Sequence, residues 1–431
     1  MPGKKPWKKG RHSLLSVGFS RFLPFYFRPK NKNMKFKKSN WESKHVSDLF
    51  KIETGSTPST KCSEYWRGGT INWITPTDLS YNEGKVYVSG SERKVTSKAL
   101  DENNLTLLPK GSLILSTRAP VGYTAILETA GVFNQGCKGL VPRMGLSSEF
   151  YYYCLIAQKK LLENRSSGST FKELATDMLE KVVLPFPPLS EQKRVVEILS
   201  TVDGRIEKTK QKINAAEKIK EGLLRQIFAE RYLGKNTGSK ENWVESNFGE
   251  IGCFQYGYTA SSTSENTGIQ FLRITDISES GTIDWDRVPF CRISKDSFND
   301  YRLSKGDLLF ARLGATAGKT ALVESDKNAV FASYLIRFRA NNWILPKYVF
   351  YFTQSNLYWG QAVRHREGQL KKGLNATMLG QLEITYPKAK HDQVKVVEIL
   401  SEIDMRIENE KAQKEKLLRV RKSLLNSLLF D

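Results

Sequence analysis

A repeated segment constrains this chain more than any other sequence feature. Residues 195–207 read VVEILSTVDGRIE and residues 396–408 read VVEILSEIDMRIE, with ten identities in thirteen positions and an offset of 201 residues. The match continues upstream in the same order, through the pairs 168–187 with 368–387, 108–118 with 303–312 and 71–79 with 269–277. A period of about half the chain predicts two copies of one folding plan.

The composition indicates a globular protein without a membrane span. Hydrophobic residues make up 39% of the 431 residues, which is enough for packed cores. The one apolar stretch near the N-terminus is broken by Arg21 and Arg28, and a span needs roughly twenty apolar residues. It also lacks the small-residue cleavage site of a secretory signal. The chain is therefore predicted to be cytoplasmic.

The cysteines indicate neither disulfides nor metal binding. They are odd in number and none forms a CxxC pair, and the four histidines are not near them in sequence: Cys62, Cys137, Cys154, Cys253 and Cys291. Reduced thiols are the expected state, and no metal site is predicted.

The net charge is +22. Twelve of the Lys and Arg residues lie within residues 1–40, which contain no Asp or Glu, and the rest of the chain carries only +10. The extension over residues 1–39 is predicted to be disordered. It is either a DNA-binding arm, a dispensable tail or an upstream over-extension, since Met34 is an alternative start. The remaining +10 still suits a polyanionic partner.

Each copy is predicted to be an α+β domain with an antiparallel or mixed sheet, followed by a long helix. Short β-rich runs separated by Gly, Pro and Asn turns recur in both copies, with helices at 149–163 and near 346–354. The expected domains are the extension 1–39, a first globular domain 40–188, a helical spacer 189–238, a second globular domain 239–388 and a second helical spacer 389–431.

The two long helices are predicted over about 190–232 and 392–430. Each carries an apolar stripe at 3-and-4 spacing, and two stripes of equal length in one chain favour an antiparallel coiled coil with internal pseudo-two-fold symmetry. Helices that each cover only their own domain are the alternative. Glu410 and Lys414 weaken the second stripe locally. The packing residues are Val195, Leu199, Val202, Ile206, Ile213, Ala216, Ile219, Leu223 and Ile227, then Val396, Leu400, Ile403, Ile407, Leu417, Val420, Leu424 and Leu428.

Motifs for catalysis are missing. LGATAGKT at 313–320 resembles a phosphate-binding loop, but Gly314 and Gly318 are one residue too close for the Walker pattern. The first copy has Tyr123 opposite Lys319. The only Pro-Pro turn, FPPL at 186–189, lacks the acidic or amide residue that a base-amino methyltransferase needs. The chain is therefore predicted to be non-catalytic.

Six short motifs in the first copy, taken in order, carry a family resemblance. They are GSTPST (55–60), INWITPTDL (71–79), LPKGSLILSTRAPVG (108–122), NQGCKGL (134–140), GSTFKEL (168–174) and LPFPPLSEQ (184–192). With the duplication and the long helices, residues 40–431 resemble the specificity subunit of type I restriction-modification enzymes. The second copy departs from the pattern, with FASYLIRF at 331–338 and ITYPKAKHDQ at 384–393.

The resemblance implies a subunit that recognises double-stranded DNA. Two target-recognition domains would each read one half of a split site, and the helices would act as the spacer. It also implies partners, namely two modification subunits that bind S-adenosylmethionine and restriction subunits that hydrolyse ATP with Mg²⁺. No cofactor is expected in this chain itself.

Comparison of the two copies selects the candidate DNA-binding residues. Arg118 and Arg312 are shared, as are Gly111 with Gly306 and Met178 with Met378, and shared positions are expected to serve folding or DNA-backbone contact. Polar positions on turns that differ are expected to read bases. In the first domain these are Lys61, Tyr65, Trp66, Arg67, Arg93, Tyr123, Asn134, Gln135, Lys138 and Lys172, and in the second Tyr258, Ser261, Arg273, Arg292, Lys319, Tyr334, Arg364, Arg366, Lys371 and Lys372.

Two other functions remain open from the residues alone. A coiled-coil adaptor for proteins would not need the residual basic charge, and its binding would not depend steeply on salt. A P-loop NTPase would use Lys319 to bind nucleotide.

Overall fold

The computed structural model describes residues 38, 41–166, 173–229, 242–314, 316–366 and 373–430. The predicted extension and the segment that joins the first helix to the second domain lie mostly outside these residues. The chain divides into two compact units. The first unit runs up to Arg205 and includes the segment from Leu417 onward, and the second unit is Ile206–Lys416. Each unit therefore contains a globular part and a stretch of both long helices.

The described residues of the first unit form ten strands in three sheets. A five-stranded sheet has the order β2-β9-β6-β7-β4, a three-stranded sheet has the order β5-β3-β8, and β1 pairs with β10. Pairing is antiparallel except for β3 with β8 and β4 with β7. The strands are β1 (Glu42–His45), β2 (Phe50–Thr54), β3 (Ile71–Ile74), β4 (Tyr87–Val88), β5 (Lys94–Val95), β6 (Leu113–Ser116), β7 (Thr124–Leu127), β8 (Gly131–Phe133), β9 (Cys137–Pro142) and β10 (Val183–Phe186).

The second unit repeats this topology with fewer strands. The orders β12-β17-β14-β15, β13-β16 and β11-β18 correspond to β2-β9-β6-β7, β3-β8 and β1-β10. Its described residues contain no counterpart of β4 or β5. The strands are β11 (Trp243–Asn247), β12 (Gly252–Tyr256), β13 (Gln270–Leu272), β14 (Leu308–Ala311), β15 (Thr320–Leu322), β16 (Ala329–Phe331), β17 (Leu335–Ala340) and β18 (Glu383–Pro387). The predicted α+β class with mixed sheets is confirmed.

The predicted helices are present with shifted ends, and several further helices of 4 to 11 residues were not predicted. The expected helix at 149–163 is two helices, because the chain turns at Gln158. The helices are α1 (Val46–Leu49), α2 (Pro76–Tyr81), α3 (Ser97–Glu102), α4 (Ser148–Ala157), α5 (Lys159–Arg165), α6 (Thr176–Glu180), α7 (Leu189–Leu224), α8 (Phe248–Ile251), α9 (Lys295–Tyr301), α10 (Pro346–Phe352), α11 (Asn356–Arg366), α12 (Ala376–Gly380) and α13 (Lys390–Leu429).

Within each unit the two long helices run antiparallel. In the second unit Lys212 on α7 pairs with Glu410 on α13 at 3.2 Å, and Lys220, further along α7, pairs with Asp404, nearer the start of α13, at 2.6 Å. In the first unit Val195 and Leu199 share a core with Leu425 and Leu429. The predicted antiparallel coiled coil is confirmed, and Glu410 at the seam is satisfied by an ion pair.

The apolar seam agrees with the predicted stripe except near the helix ends. Most of the predicted α7 residues are buried, but Ile219 is 50% exposed. Leu224 and Phe228 are more deeply buried than the predicted Leu223 and Ile227. Leu224 and Phe228 pack into the core of the globular part, and Phe228 lies in a π-helical turn at Arg225–Ala229, which holds more residues per turn than an α-helix.

The other end of the seam changes in the same way. In α13, Leu425 and Leu429 are buried, whereas the predicted Leu424 and Leu428 are partly buried against the same core. This end packs on the globular core as well as on α7, which widens the apolar face beyond a coiled-coil stripe.

Candidate nucleic-acid interface

In the first unit, a cluster of aromatic and basic side chains lies beside the sheet β5-β3-β8. A 3₁₀ turn at Ser63–Tyr65 places Trp66 so that its indole nitrogen donates to the Ser59 carbonyl at 3.1 Å. The Trp66 ring meets the Trp73 ring edge-on, with centroids 5.1 Å apart. The Arg93 guanidinium carbon lies 3.5 Å from the Trp66 ring centroid. Stacking holds this guanidinium in one plane while Arg93 itself remains exposed.

A second contact set joins this cluster to the turn after β8. The Ser56 amide donates to the Phe133 carbonyl at 3.0 Å, and the Thr57 hydroxyl donates to the Gln135 side-chain oxygen. A side chain at Gly55 would collide with the backbone of residues 133 and 134. Glycine at this position therefore lets the 55–60 loop lie directly on the turn that carries Asn134 and Gln135.

Most of the candidates in the first unit are thus brought onto one surface, hereafter the Arg93 surface, formed by residues 55–67, 91–94 and 134–136. Tyr65 is half-buried and its hydroxyl donates to Glu102 at 2.9 Å. Lys61, Arg67 and Gln135 are exposed. Together these side chains offer guanidinium, amide and ammonium donors beside flat aromatic rings, which are the groups that contact bases and phosphates.

Lys138 lies apart from this surface, and DNA contact at Lys138 stays a prediction. It is 8% exposed, and its ammonium donates to the Thr54 hydroxyl at 2.7 Å. Burial lowers the pKa of Lys138. Lys138 and Thr54 are Cα partners in the β2–β9 pairing, so their side chains lie side by side on one face of the sheet.

Two further described candidates in the first unit, Arg118 and Tyr123, are also separate from the Arg93 surface. Arg118 forms an ion pair with Glu173 at 3.1 Å. The Lys159 ammonium covers the half-buried Tyr123 ring, 3.4 Å from its centroid. Lys172 lies outside the described residues.

In the second unit, the polar loop residues meet at the corresponding place. The Tyr258 amide donates to the Phe331 carbonyl at 2.8 Å, which repeats the Ser56 contact. The guanidinium of Arg273 binds both oxygens of Asp276, at 3.1 and 2.8 Å, and approaches the Ser262 hydroxyl. That Asp276 contact raises the pKa of Arg273. Tyr258 packs on Tyr301 with ring centroids 5.3 Å apart.

Arg292 extends this polar surface. It pairs with Glu265 at 2.9 Å, and both side chains are largely exposed. Ser261 is exposed in the same loop as Glu265. Ser261, Arg273 and Arg292 therefore lie on neighbouring loops of the second unit, hereafter the Arg292 surface, formed by residues 258–265, 273 and 292. Arg273 is already engaged by its carboxylate partner.

Lys319 is held by partners within its own unit. It is 7% exposed, and its ammonium donates to the Ile277 carbonyl at 2.8 Å and to Glu279 at 3.3 Å. The residues after it form strand β15, whereas a phosphate loop leads into a helix whose N-terminus faces the phosphate. These contacts give Lys319 a role within the fold, and DNA contact at Lys319 stays a prediction. The strand after Lys319 does not favour the nucleotide-binding alternative.

The remaining described candidates in the second unit are dispersed. The Arg312 guanidinium lies 5.0 Å from the Tyr256 ring centroid. Arg364 and Arg366 donate to backbone carbonyls, of Gly360 and Ala317 respectively. Tyr334 is 58% exposed. Lys371 and Lys372 lie outside the described residues.

Sequence reasoning missed a pair of charged clusters on the long helices. In the first, Asp203 accepts from the Tyr153 hydroxyl at 3.0 Å and pairs with Arg421 at 2.5 Å. In the second, Asp404 accepts from the Tyr351 hydroxyl at 3.0 Å and pairs with Lys220 at 2.6 Å. The invariant Asp in the repeated segment was the available signal.

The described part of the chain was searched for metal sites and for membrane helices. Among the described residues, no group of three or more His, Cys, Asp or Glu side chains could hold a metal ion. The helices described in the structure include none that is long and apolar enough to cross a membrane.

Comparison with known proteins defines the class of this chain. The type I restriction modification DNA specificity domain matches twice, over residues 38–218 and 240–419. These two matches cover most of the chain and correspond to the two copies of the repeat. The chain therefore belongs to this family, whose members are DNA specificity subunits of type I restriction-modification systems and not catalytic ones.

Individual relatives agree with this assignment. The chain is 36% identical over 250 residues to the MjaIX specificity subunit of Methanocaldococcus jannaschii, a match that covers 54% of this chain and 57% of that protein. It is 23% identical to the MjaVIII specificity subunit of the same organism, over 90% of this chain and 92% of that one. The fold is similar to the crystal structure of the type I S subunit from M. genitalium, with a TM-score of 0.58, 17% identity and coverage of 94% and 98%.

Proposed function

We propose that each unit reads one half of a bipartite double-stranded DNA site. One observation carries this proposal: the two units keep the same strand topology but present different polar side chains at the same loops. The Arg93 surface has a stacked, exposed guanidinium, whereas the Arg292 surface has guanidinium groups paired with carboxylates. Two readers that differ in this way suit two different half-sites.

The chemistry of both surfaces suits the major groove of DNA. An Arg guanidinium can donate to both O6 and N7 of guanine, and amide side chains such as those of Asn134 and Gln135 pair with adenine. Exposed lysines such as Lys61 would contact phosphates, which fixes the register of the protein on the duplex.

The paired helices α7 and α13 would set the spacing of the two half-sites. Half-sites on one face of B-DNA lie about 34 Å apart or at multiples of this distance. A helix of 36 residues such as α7 is about 54 Å long at 1.5 Å per residue. A coiled coil resists bending, so the length of the helices would determine the distance between the two half-sites.

The same helices would dock the partner subunits. Two modification subunits would supply S-adenosylmethionine, and restriction subunits would hydrolyse ATP with Mg²⁺. Exposed apolar side chains on α13 support a docking face, since Ile399 is 48% and Met405 61% exposed. Large apolar side chains in water favour a protein partner.

A protein adaptor is the competing function, and DNA binding at two salt concentrations separates the two. Filter binding should lose affinity steeply between about 50 and 200 mM salt if several phosphates are contacted. Salt-independent binding to protein alone would favour the adaptor. A titration with Mg-ATP should show no binding, since the Lys319 ammonium is already engaged.

The decisive experiment is co-expression of the chain with its modification subunit, followed by mapping of methylated adenines in the host genome. We expect one motif of two short halves separated by a gap of fixed length. A complex that methylates no such bipartite motif would contradict the proposed function.

A further inference from the structure

We infer that the two carboxylate clusters on the long helices are positioning devices that set the gap length of the DNA site, an inference that rests on the proposed function. The first carboxylate cluster is Tyr153, Asp203 and Arg421, and the second is Tyr351, Asp404 and Lys220. Each cluster ties a helix of the globular part to both long helices at one point.

The clusters are equivalent by sequence as well as by geometry. Asp203 and Asp404 are 201 residues apart, and so are Lys220 and Arg421. In both clusters the tyrosine hydroxyl donates to the carboxylate at 3.0 Å. In both, the cation on the other long helix binds the second carboxylate oxygen. Two copies that have diverged widely elsewhere keep the same three-part contact.

The contact is suited to holding position. Tyr153 and Tyr351 are fully buried on α4 and α10. Burial, and after it the neighbouring Asp203 carboxylate, raises the pKa of the Tyr153 hydroxyl. Burial likewise raises the pKa of Tyr351. Both hydroxyls therefore stay protonated and donate. Hydrogen bonds to charged acceptors are directional and stronger than neutral ones, so sliding by one helical turn would break the whole cluster.

A second repeated contact fixes the start of each long helix against the same globular part. The buried Gln192 side chain accepts from the Ser147 amide and donates to the Pro187 carbonyl, each at 2.9 Å. Gln393 repeats this with the Leu345 amide at 2.8 Å and the Pro387 carbonyl at 2.9 Å. With one anchor at the glutamine and one at the carboxylate, each domain can neither slide along nor roll about its helix.

Substitution of the carboxylates tests the inference. Asp203→Asn and Asp404→Asn keep the side-chain shape and remove the charge, and Tyr153→Phe removes only one hydroxyl, which guards against a variant that fails to fold. Arg421→Lys gives the first cluster the same cation as the second, so this variant should keep the native gap. The matched control is Asp177→Asn, which breaks an exposed ion pair with Lys181.

The main measurement is the methylated motif of the complex that contains each variant. In Asp203→Asn and Asp404→Asn we expect both half-sites to be kept. Methylation at gaps one base pair longer or shorter should rise roughly tenfold relative to methylation at the native gap. This is the size of effect that the loss of one charged hydrogen bond allows. Tyr153→Phe should show a smaller rise. Arg421→Lys and Asp177→Asn should keep the native gap. A native gap distribution in Asp203→Asn or in Asp404→Asn would overturn the inference.

Hydrogen exchange of the purified chain separates this inference from the proposed function. In Asp203→Asn, amides in α4 and in the last turns of α13 should exchange faster, with wild-type rates in Asp177→Asn. Unchanged exchange would overturn the positioning role. If the wild-type complex methylates no bipartite site, the proposed function fails, and the exchange rates still decide whether the clusters fix the domains.

Discussion

The helix contacts and the polar loops of the two units have changed to very different extents. Asp203 and Asp404 make the same hydrogen bond at the same distance. The loops at Ser56 and Tyr258 start from the same backbone contact but then carry different side chains, with a stacked Arg93 in one unit and a carboxylate-bound Arg273 in the other. Positions that build the scaffold have been kept in both copies, and positions that face solvent at the loop tips have not.

The largest effect is expected from the buried residues of the repeated segment. Leu199 and Leu400 are fully buried in the cores of their own units, so Leu199→Ala and Leu400→Ala should each cost about 2–5 kcal/mol of stability. Urea unfolding checks this, with the half-exposed Ile219→Ala as the control, which should lose much less. A large loss for only one leucine would break the equivalence of the two copies.

The next effect concerns the cation in each carboxylate cluster. Arg421→Met and Lys220→Met should each destabilise the chain by roughly 1.5–3 kcal/mol, because a charged hydrogen bond is lost at a partly buried site. The exchanges Arg421→Lys and Lys220→Arg should cost less than the Met variants, since each cation already serves in the other cluster. Thermal unfolding of the four variants tests this ranking. Equal losses for the Met and the exchanged variants would contradict a specific contact.

The loop surfaces should affect recognition and leave stability almost unchanged. Arg93→Ala should weaken DNA binding by about 1–3 kcal/mol and relax base preference in one half-site only. Arg292→Ala should act on the other half-site. Competition binding with substituted half-sites measures both, and Lys181→Ala, a change at the exposed residue that follows α6, is the control. If either variant lost base preference in both half-sites, the proposal that each unit reads one half-site independently would be contradicted.

The smallest effect is expected from single phosphate contacts. Lys61→Ala should reduce the slope of log binding constant against log salt by about one unit. Lys138→Met should leave that slope unchanged, because its ammonium is buried on Thr54. Binding measured across a salt series distinguishes the exposed lysine from the buried one. A reduced slope for Lys138→Met would show that Lys138 contacts a phosphate although its side chain is buried.

Much of the fold followed from the sequence because it depends on periodic apolar positions. The strands at 71–74, 113–116 and 308–311 and both long helices were predicted from such patterns. The predicted packing residues at the two ends of the seam were wrong by one position. At these ends the helix packs on the globular core as well as on the other long helix, and the apolar pattern of one helix does not indicate that second contact.

The candidate site was predicted less completely. Charge alone could not separate Lys61, which is exposed, from Lys138 and Lys319, which strand pairing buries. The stacking of Arg93 on Trp66 joins residues 27 apart in sequence through loop geometry, and no local pattern indicates it. Asp203 was visible as an identity between the copies, but its partners Tyr153 and Arg421 come from two other helices.

The most direct test of the account compares the methylated motifs of the wild-type complex, Arg93→Ala and Asp203→Asn in one experiment. The account predicts that Arg93→Ala alters base preference in one half-site at the native gap, and that Asp203→Asn keeps both half-sites and broadens the gap. If both variants alter the same property, or if neither differs from wild type, the division between reading loops and positioning helices is contradicted.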